Sequence, residues 1–267
     1  MIGQKKILSK LNNSTYDSFP NSLILVGEIG CGKHTLCDEL HNKYPNFNMI
    51  YVSSKMDYDF VESCYLNVVP TFYVIDADKL SVREQNVILK LFEEPPQNVK
   101  IVLLASDIGG LLNTITNRAT VWEFEKYSDE ELYQFLSDND DTVLKYARTP
   151  GQVKTMTSDK LHKMVDLAQL MIDKIDKAYV PNVLSIGDKF DFKELSDDKF
   201  NVNIFIKVLK RVIVHNMETE RLMNTKHNLV GAYFVACTYT NTLHIQNINK
   251  RYSFDKFLLD FKKVIVC

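Results

Sequence analysis

The sequence predicts an α/β fold: a parallel sheet buried on both faces, followed by a helical C-terminal part. Short runs that are apolar on both faces recur through the first half, as strands of a covered parallel sheet require. Segments with helical spacing and capping signals alternate with them, which is a doubly wound pattern. After Phe124 the strand-like runs stop, and apolar residues fall at i, i+3 and i+4 instead.

The expected strands are "SLILVG" (22–27), "MIYVSS" (49–54), "TFYVID" (71–76), "IVLLAS" (101–106) and "TVWEF" (120–124). A helix is expected from Lys33. Another covers 81–96, where Ser81 and Glu84 form a capping box, Val87–Leu91 and Ile88–Phe92 repeat at i, i+4, and Pro95-Pro96 end it. Ser128 and Glu131 form a second capping box before Leu132, Phe135 and Leu136, and Pro150 suits a first helical turn. From residue 158 two long apolar stripes follow, from Leu161 to Ile175 and from Ile204 to Ile213. A last helix is expected from Ser253, with Phe254, Phe257, Leu258 and Phe261 inward. These stripes read as packing core. Linkers are expected at 125–128 and 156–160, and a polar loop at 187–201. The resulting domain division is 1–126, 127–157 and 158–267.

The chain has 267 residues, 45% of them apolar and 25% charged, and a net charge of −2. That balance suits a globular protein and gives no bulk electrostatic case for nucleic-acid binding, although a local basic patch is compatible with it. The longest apolar runs, such as "LVGAYFVAC" (229–237), are too short to cross a bilayer, and the start lacks a signal peptide's apolar core. Five scattered cysteines form no CxxC pair, so neither disulfides nor zinc is expected, and the location expected is the cytoplasm.

The stretch "LVGEIGCGKHT" (25–35) has the spacing of a phosphate-binding loop between a strand and a helix. Gly27, Gly30, Cys31 and Gly32 would let backbone N–H groups wrap a phosphate, and Lys33 would reach the β- and γ-phosphates. The next position normally holds a Ser or Thr whose hydroxyl binds Mg²⁺. Here it is His34, with Thr35 one residue late. Cys31 and Cys37 near a helix start are either lowered-pKa thiols or, more commonly, small packing residues. The strand ending at Ile75-Asp76 supplies one acid at its tip where nucleotide hydrolases carry an Asp and often a Glu. A turn-capping role is equally natural for Asp76.

Residues 74–124 add a specific signature: the turn "DAD" at 76–78, then Asn86, Leu89, Lys90, Glu93, Glu94, Pro95 and Pro96, then Ser106, then "TITNRA" at 114–119. It resembles the AAA+ clamp-loader family of DNA replication, most of all the delta-prime subunits of bacterial DNA polymerase III. "IGQ" (2–4) is similar to the family's segment near the adenine pocket, "ARTPGQV" (147–153) to its G-S-P-G-x-A lid turn, and 247–261 to the last collar helices. The resemblance implies an AAA+ P-loop module, a small helical lid and a helical collar. It implies ATP or ADP as ligand, with Mg²⁺ through Thr35 and Asp76, and Ser106 as the sensor-1 residue. It makes Arg118 an arginine finger acting in a neighbour's ATP site. It also implies partners: sister subunits in a hetero-oligomeric ring, a sliding clamp, and primer-template DNA, which Arg83 and Lys90 would face. No membrane partner is implied.

The departures from the family matter. Ile75 falls at the Mg²⁺-binding Asp and Asp76 at the catalytic Glu. Gly151 falls at the lid arginine, and Asn117 and Ala119 replace the Ser and Cys beside the finger. The family's zinc-binding cysteine cluster is missing, which points to a minimal, phage-like version. A stator that hydrolyses ATP weakly or not at all fits best. Two alternatives stay open: an active motor subunit of a reduced loader, and a structural ring member with an empty nucleotide loop.

Overall fold

The computed structural model describes residues 3–53, 56–136, 141–175, 177–191, 200–220, 228–242 and 249–265. It divides into two compact units, Met1–Tyr127 and Ser128–Cys267.

The first unit is built on five parallel strands: β1 (Ser22–Val26), β2 (Asn48–Val52), β3 (Thr71–Asp76), β4 (Val99–Ala105) and β5 (Thr120–Glu123). Their order is β2-β3-β4-β1-β5. This is the parallel α/β sheet expected, with the glycine loop leaving β1, an interior strand between β4 and β5. A helix α1 (Lys5–Asn13) precedes β1, and the crossings contain α2 (Lys33–Lys43), α3 (Tyr58–Leu66), α4 (Val82–Glu93) and α5 (Asn113–Thr116). Alternate strand residues face opposite sides of the sheet. Ile24, Ile75, Ile101 and Leu103 pack with Ile88 and Leu91 of α4 and Ile115 of α5. Leu23, Leu25, Phe72, Val74 and Leu104 pack on the other side with Ile7 and Leu11 of α1 and Leu36 and Leu40 of α2. Both faces are thus covered, and ligands of such sheets bind beyond the carboxyl ends of the strands. Short-range signals carry the element ends: the Ser81–Glu84 capping box opens α4, with both of its bonds formed.

The second unit is mainly helical: α6 (Asp129–Tyr133), α7 (Pro150–Thr155), α8 (Ser158–Lys174), α9 (Val180–Ser185), α10 (Val202–Glu220), α11 (Leu229–Thr242) and α12 (Lys250–Ile265). The Ser128–Glu131 capping box forms, and Pro150 begins α7. The stripes of α8, α10 and α12 face the core. Phe190, Phe205 and Phe254 meet at its centre, with centroids 4.7 and 4.8 Å from Phe190.

Two expectations are corrected. The last helix begins at Lys250 rather than Ser253, because the Asn249 side chain accepts the Tyr252 N–H at 3.1 Å and caps it earlier. The expected loop at 187–201 contains a short parallel pairing of β6 (Phe190–Asp191) with β7 (Phe200–Asn201), held by the contact of the two phenylalanine rings. Its residues 192–199 lie outside the described residues, as do Ser54 of an expected strand, Ile2 of the "IGQ" segment, 247–248 of the collar-like segment and Cys267. Helices α1 and α3 carry no separate expectation from the sequence; α11 lies in the part expected to be helical, but its residues show no amphipathic period.

Candidate functional site

The glycine loop leaves β1 where Gly27 N–H bonds the Ala105 carbonyl of β4 at 3.0 Å. A side chain at Gly27 would meet Cys31 Sγ at 2.7 Å and Phe124 Cβ at 2.8 Å, so close packing requires glycine here. Gly30 (φ 83°) and Gly32 (φ 102°) sit in the left-handed region, which only glycine enters cheaply. Gly32 is the N-cap of α2, so the helix's first N–H groups face the loop. Tyr127 pins the loop from outside by donating its hydroxyl to Cys31 O at 2.7 Å. The loop thus has the tight glycine turns and the free helix start that a phosphate would need.

Lys33 lies at the loop, its ammonium donating to the carbonyls of Gly27 and, at 3.3 Å, of Glu28. His34 and Thr35 are exposed on the first turn of α2, and the His34 ring stacks on Tyr51 of β2 at 5.6 Å. Cys31 and Cys37 are packing residues. Burial raises both thiols, Cys37 to about 12, which is the opposite of an activated cysteine.

Along the same edge Leu25 pairs with Leu104, and Leu104 with Asp76. Asp76 thus lies level with the root of the loop, two strand spacings or about 10 Å away. Its carboxylate is engaged: Lys79 Nζ stands 3.1 Å from Oδ2, and Asp78 N–H donates to Oδ1 at 3.2 Å. Ile75, which the resemblance sets at the position of a metal-binding acid, is 1% exposed and belongs to the core. Ser106, at the tip of β4, donates its hydroxyl to Asp78 Oδ2 at 2.5 Å, and its N–H lies 3.0 Å from Oδ1. The residues therefore fit a nucleotide's phosphates well and Mg²⁺ poorly. Thr35 and the already paired Asp76 are the expected oxygens, and the buried Ile75 offers none. Among the described residues no group of three or more His, Cys, Asp or Glu could hold a metal ion.

Arg118 is not part of this edge. It precedes Thr120, which pairs with Leu23 at the start of β1. That places Arg118 at the amino-terminal edge, at least three strand residues or about 10 Å below Val26. Its Nη1 donates to Thr114 O at 2.9 Å, and its Nη2 lies 3.1 Å from Glu93 Oε1. Arg83 is exposed on the first turn of α4. Lys90, also exposed, lies over the Tyr65 ring at 5.0 Å.

Two buried polar residues add long-range bonds; Gln85 carries no signal in the sequence pattern, and Gln4 stands out only as part of the "IGQ" segment. Gln85, 2% exposed, donates to Gly110 O at 3.1 Å and accepts from Leu112 N at 2.8 Å, which fixes the loop between Ser106 and α5. Gln4, 4% exposed, exchanges two 2.8 Å bonds with the backbone of Glu125. A polar residue on a helix face, as Gln85 is, reads as surface until a backbone partner is known.

Residues 50–128 match the family described as DNA polymerase III, delta subunit. A DNA polymerase III subunit gamma of Buchnera aphidicola subsp. Schizaphis graminum is 28% identical over 125 residues, 43% of this chain and 34% of that protein. The gamma subunit of Buchnera aphidicola subsp. Acyrthosiphon pisum is 37% identical over 65 residues, 24% of this chain and 18% of that one. The chain thus spans about a third or less of the curated relatives it matches. Among solved structures, a DNA polymerase III gamma subunit-related protein of Thermotoga maritima superposes with a TM-score of 0.44 at 14% identity, covering 97% of this chain and 98% of that one. The Thermotoga maritima RuvB Holliday junction branch migration motor gives 0.48 at 15% identity, covering 82% and 78%. Similarity at that level carries no functional argument. No helix among the described residues is long and apolar enough to cross a membrane.

Proposed function

We propose that this chain, a clamp-loader-like protein of the DNA polymerase III delta/gamma family, is a delta-prime-like stator. It holds ATP or ADP at residues 27–35, hydrolyses it weakly or not at all, and completes a neighbouring subunit's ATP site with Arg118. The observation that carries this reading is Ile75: a core isoleucine stands where hydrolysis needs a metal-binding carboxylate.

Each part follows from the residues. Backbone N–H groups of the Gly27–Gly32 loop, the start of α2 and Lys33 supply positive potential for β- and γ-phosphates. Lys33 exchanges its bonds to the loop carbonyls for phosphate oxygens. Bound Mg²⁺ would neutralise phosphate charge, with Thr35 and Asp76 as its available protein oxygens. Arg118 lies toward the amino-terminal ends of the strands, away from this chain's own glycine loop, which supports a role in a site on another chain. An arginine finger stabilises charge on the transferring phosphoryl group and is worth ~10³–10⁵-fold in GTPases. The implied setting is the cytoplasm, in a ring of sister subunits that opens a sliding clamp on primer-template DNA. Arg83 and Lys90 are the candidates for the DNA side.

The test is Arg118→Ala in the assembly purified with its sister subunits and clamp. ATP turnover stimulated by DNA and clamp falls at least a hundredfold if the finger reading holds, and wild-type turnover rejects it. Binding is tested separately. ADP raises the melting temperature of the isolated chain, because a ligand bound only by the folded state stabilises it. No shift at millimolar ADP or ATP would instead favour a structural ring member.

A further inference from the structure

We infer that Glu93 is a positioning residue for Arg118: it orients the guanidinium so that its remaining donors face an anion outside this chain. The functional consequence rests on the finger reading above; the geometry does not.

The two anchors of Arg118 come from different elements. Nη1 is held by the Thr114 carbonyl of α5, four residues back, and Nη2 by Glu93 Oε1 at the end of α4. A guanidinium carries five N–H donors in a rigid planar fork. Two anchors on its terminal nitrogens fix the plane and leave three donors. An arginine side chain without such anchors samples many rotamers, and a finger must be in place when charge develops.

Glu93 is well placed to anchor. It follows Leu91 and Phe92, which are 0% and 4% exposed, so its backbone is fixed by the core. The next residue, Glu94, has its carbonyl held by the Tyr65 hydroxyl at 2.7 Å, and Pro95-Pro96 end the helix. The pair itself is not a core bridge: the side chains of Arg118 and Glu93 are 40% and 44% exposed. Ion pairs so exposed contribute little to stability, so its role lies in orientation, and Glu93→Ala is expected to fold.

The test has two independent readouts. In the isolated chain, ¹⁵N relaxation of the Arg118 Nε–Hε group, assigned by its loss in Arg118→Lys, reports side-chain order. Glu93→Ala raises its mobility. Glu93→Gln, whose amide oxygen still accepts, keeps it near the wild type. In the purified assembly, Glu93→Ala lowers kcat about fivefold with KM unchanged, Glu93→Gln restores it to within twofold, and adding Glu93→Ala to Arg118→Ala costs nothing further. Unchanged order and kcat in Glu93→Ala, equal losses in the Ala and Gln variants, or a Glu93→Ala loss that persists without Arg118 would each overturn the inference. Wild-type turnover in Arg118→Ala alone would reject the finger reading, and the relaxation measurement would still decide the positioning role.

Discussion

At the scale of single residues, the loop's glycines are individually required, and each for a different reason. Gly30 and Gly32 answer to backbone angle, whereas Gly27 answers to space. Gly27→Ala pushes a methyl into Cys31 and Phe124 and is expected to destabilise the first unit by about 1–3 kcal/mol; an unchanged urea midpoint would contradict this. Cys37 gives a pH prediction. Burial raises its thiol from 9.0 to about 12. A raised folded-state value means that its contribution is fully present below pH 9 and is lost as pH rises towards 12. Stability measured from pH 8 to 11 therefore falls, and Cys37→Ala makes that fall shallower. At this scale the glycine spacing and Lys33 were readable in the sequence, because phosphate loops need those residue types in that order. The partners of Asp76 and Arg118 were not. Lys79 and Glu93 are ordinary surface charges until the fold brings them into reach.

At the scale of elements, capping boxes and strand runs marked the α/β unit well, because their signals are local. Ser81 opens α4 with both bonds of its capping box formed, and Ser81→Ala is expected to cost about 1 kcal/mol. The long-range bonds of α4 were invisible. Gln85 satisfies two backbone groups between Ser106 and α5, and Gln85→Ala strands both, at an expected cost of about 1–3 kcal/mol. Denaturant titration checks both values, and the Gln85 variant should lose more. In the second unit, α11 gave no helical stripe of its own because its apolar residues do not gather on one face in the sequence pattern. Its glycine has a tertiary reason: a methyl at Gly231 would meet Val264 Cγ1 at 2.4 Å across the α11–α12 contact. Gly231→Ala should therefore destabilise, although alanine is the better helix former.

At the scale of the whole molecule, the proposed role joins a glycine loop shaped for phosphate to a strand edge poor in metal-binding oxygens. His34, Ile75 and the Lys79-bound Asp76 all lie near that edge, and in the proposed stator they are together departures from what hydrolysis needs. ADP at about a hundred times its Kd should stabilise the chain by about 2.7 kcal/mol, and Lys33→Ala should abolish that gain without lowering basal stability. The two halves of the proposed role sit on opposite edges of one sheet, so they can be separated by mutation. The most direct measurement compares ATP turnover of two assemblies, one carrying Lys33→Ala in this chain and one carrying Arg118→Ala. A stator predicts near wild-type turnover in the first and a loss of at least a hundredfold in the second; loss in the first with wild-type turnover in the second would contradict it.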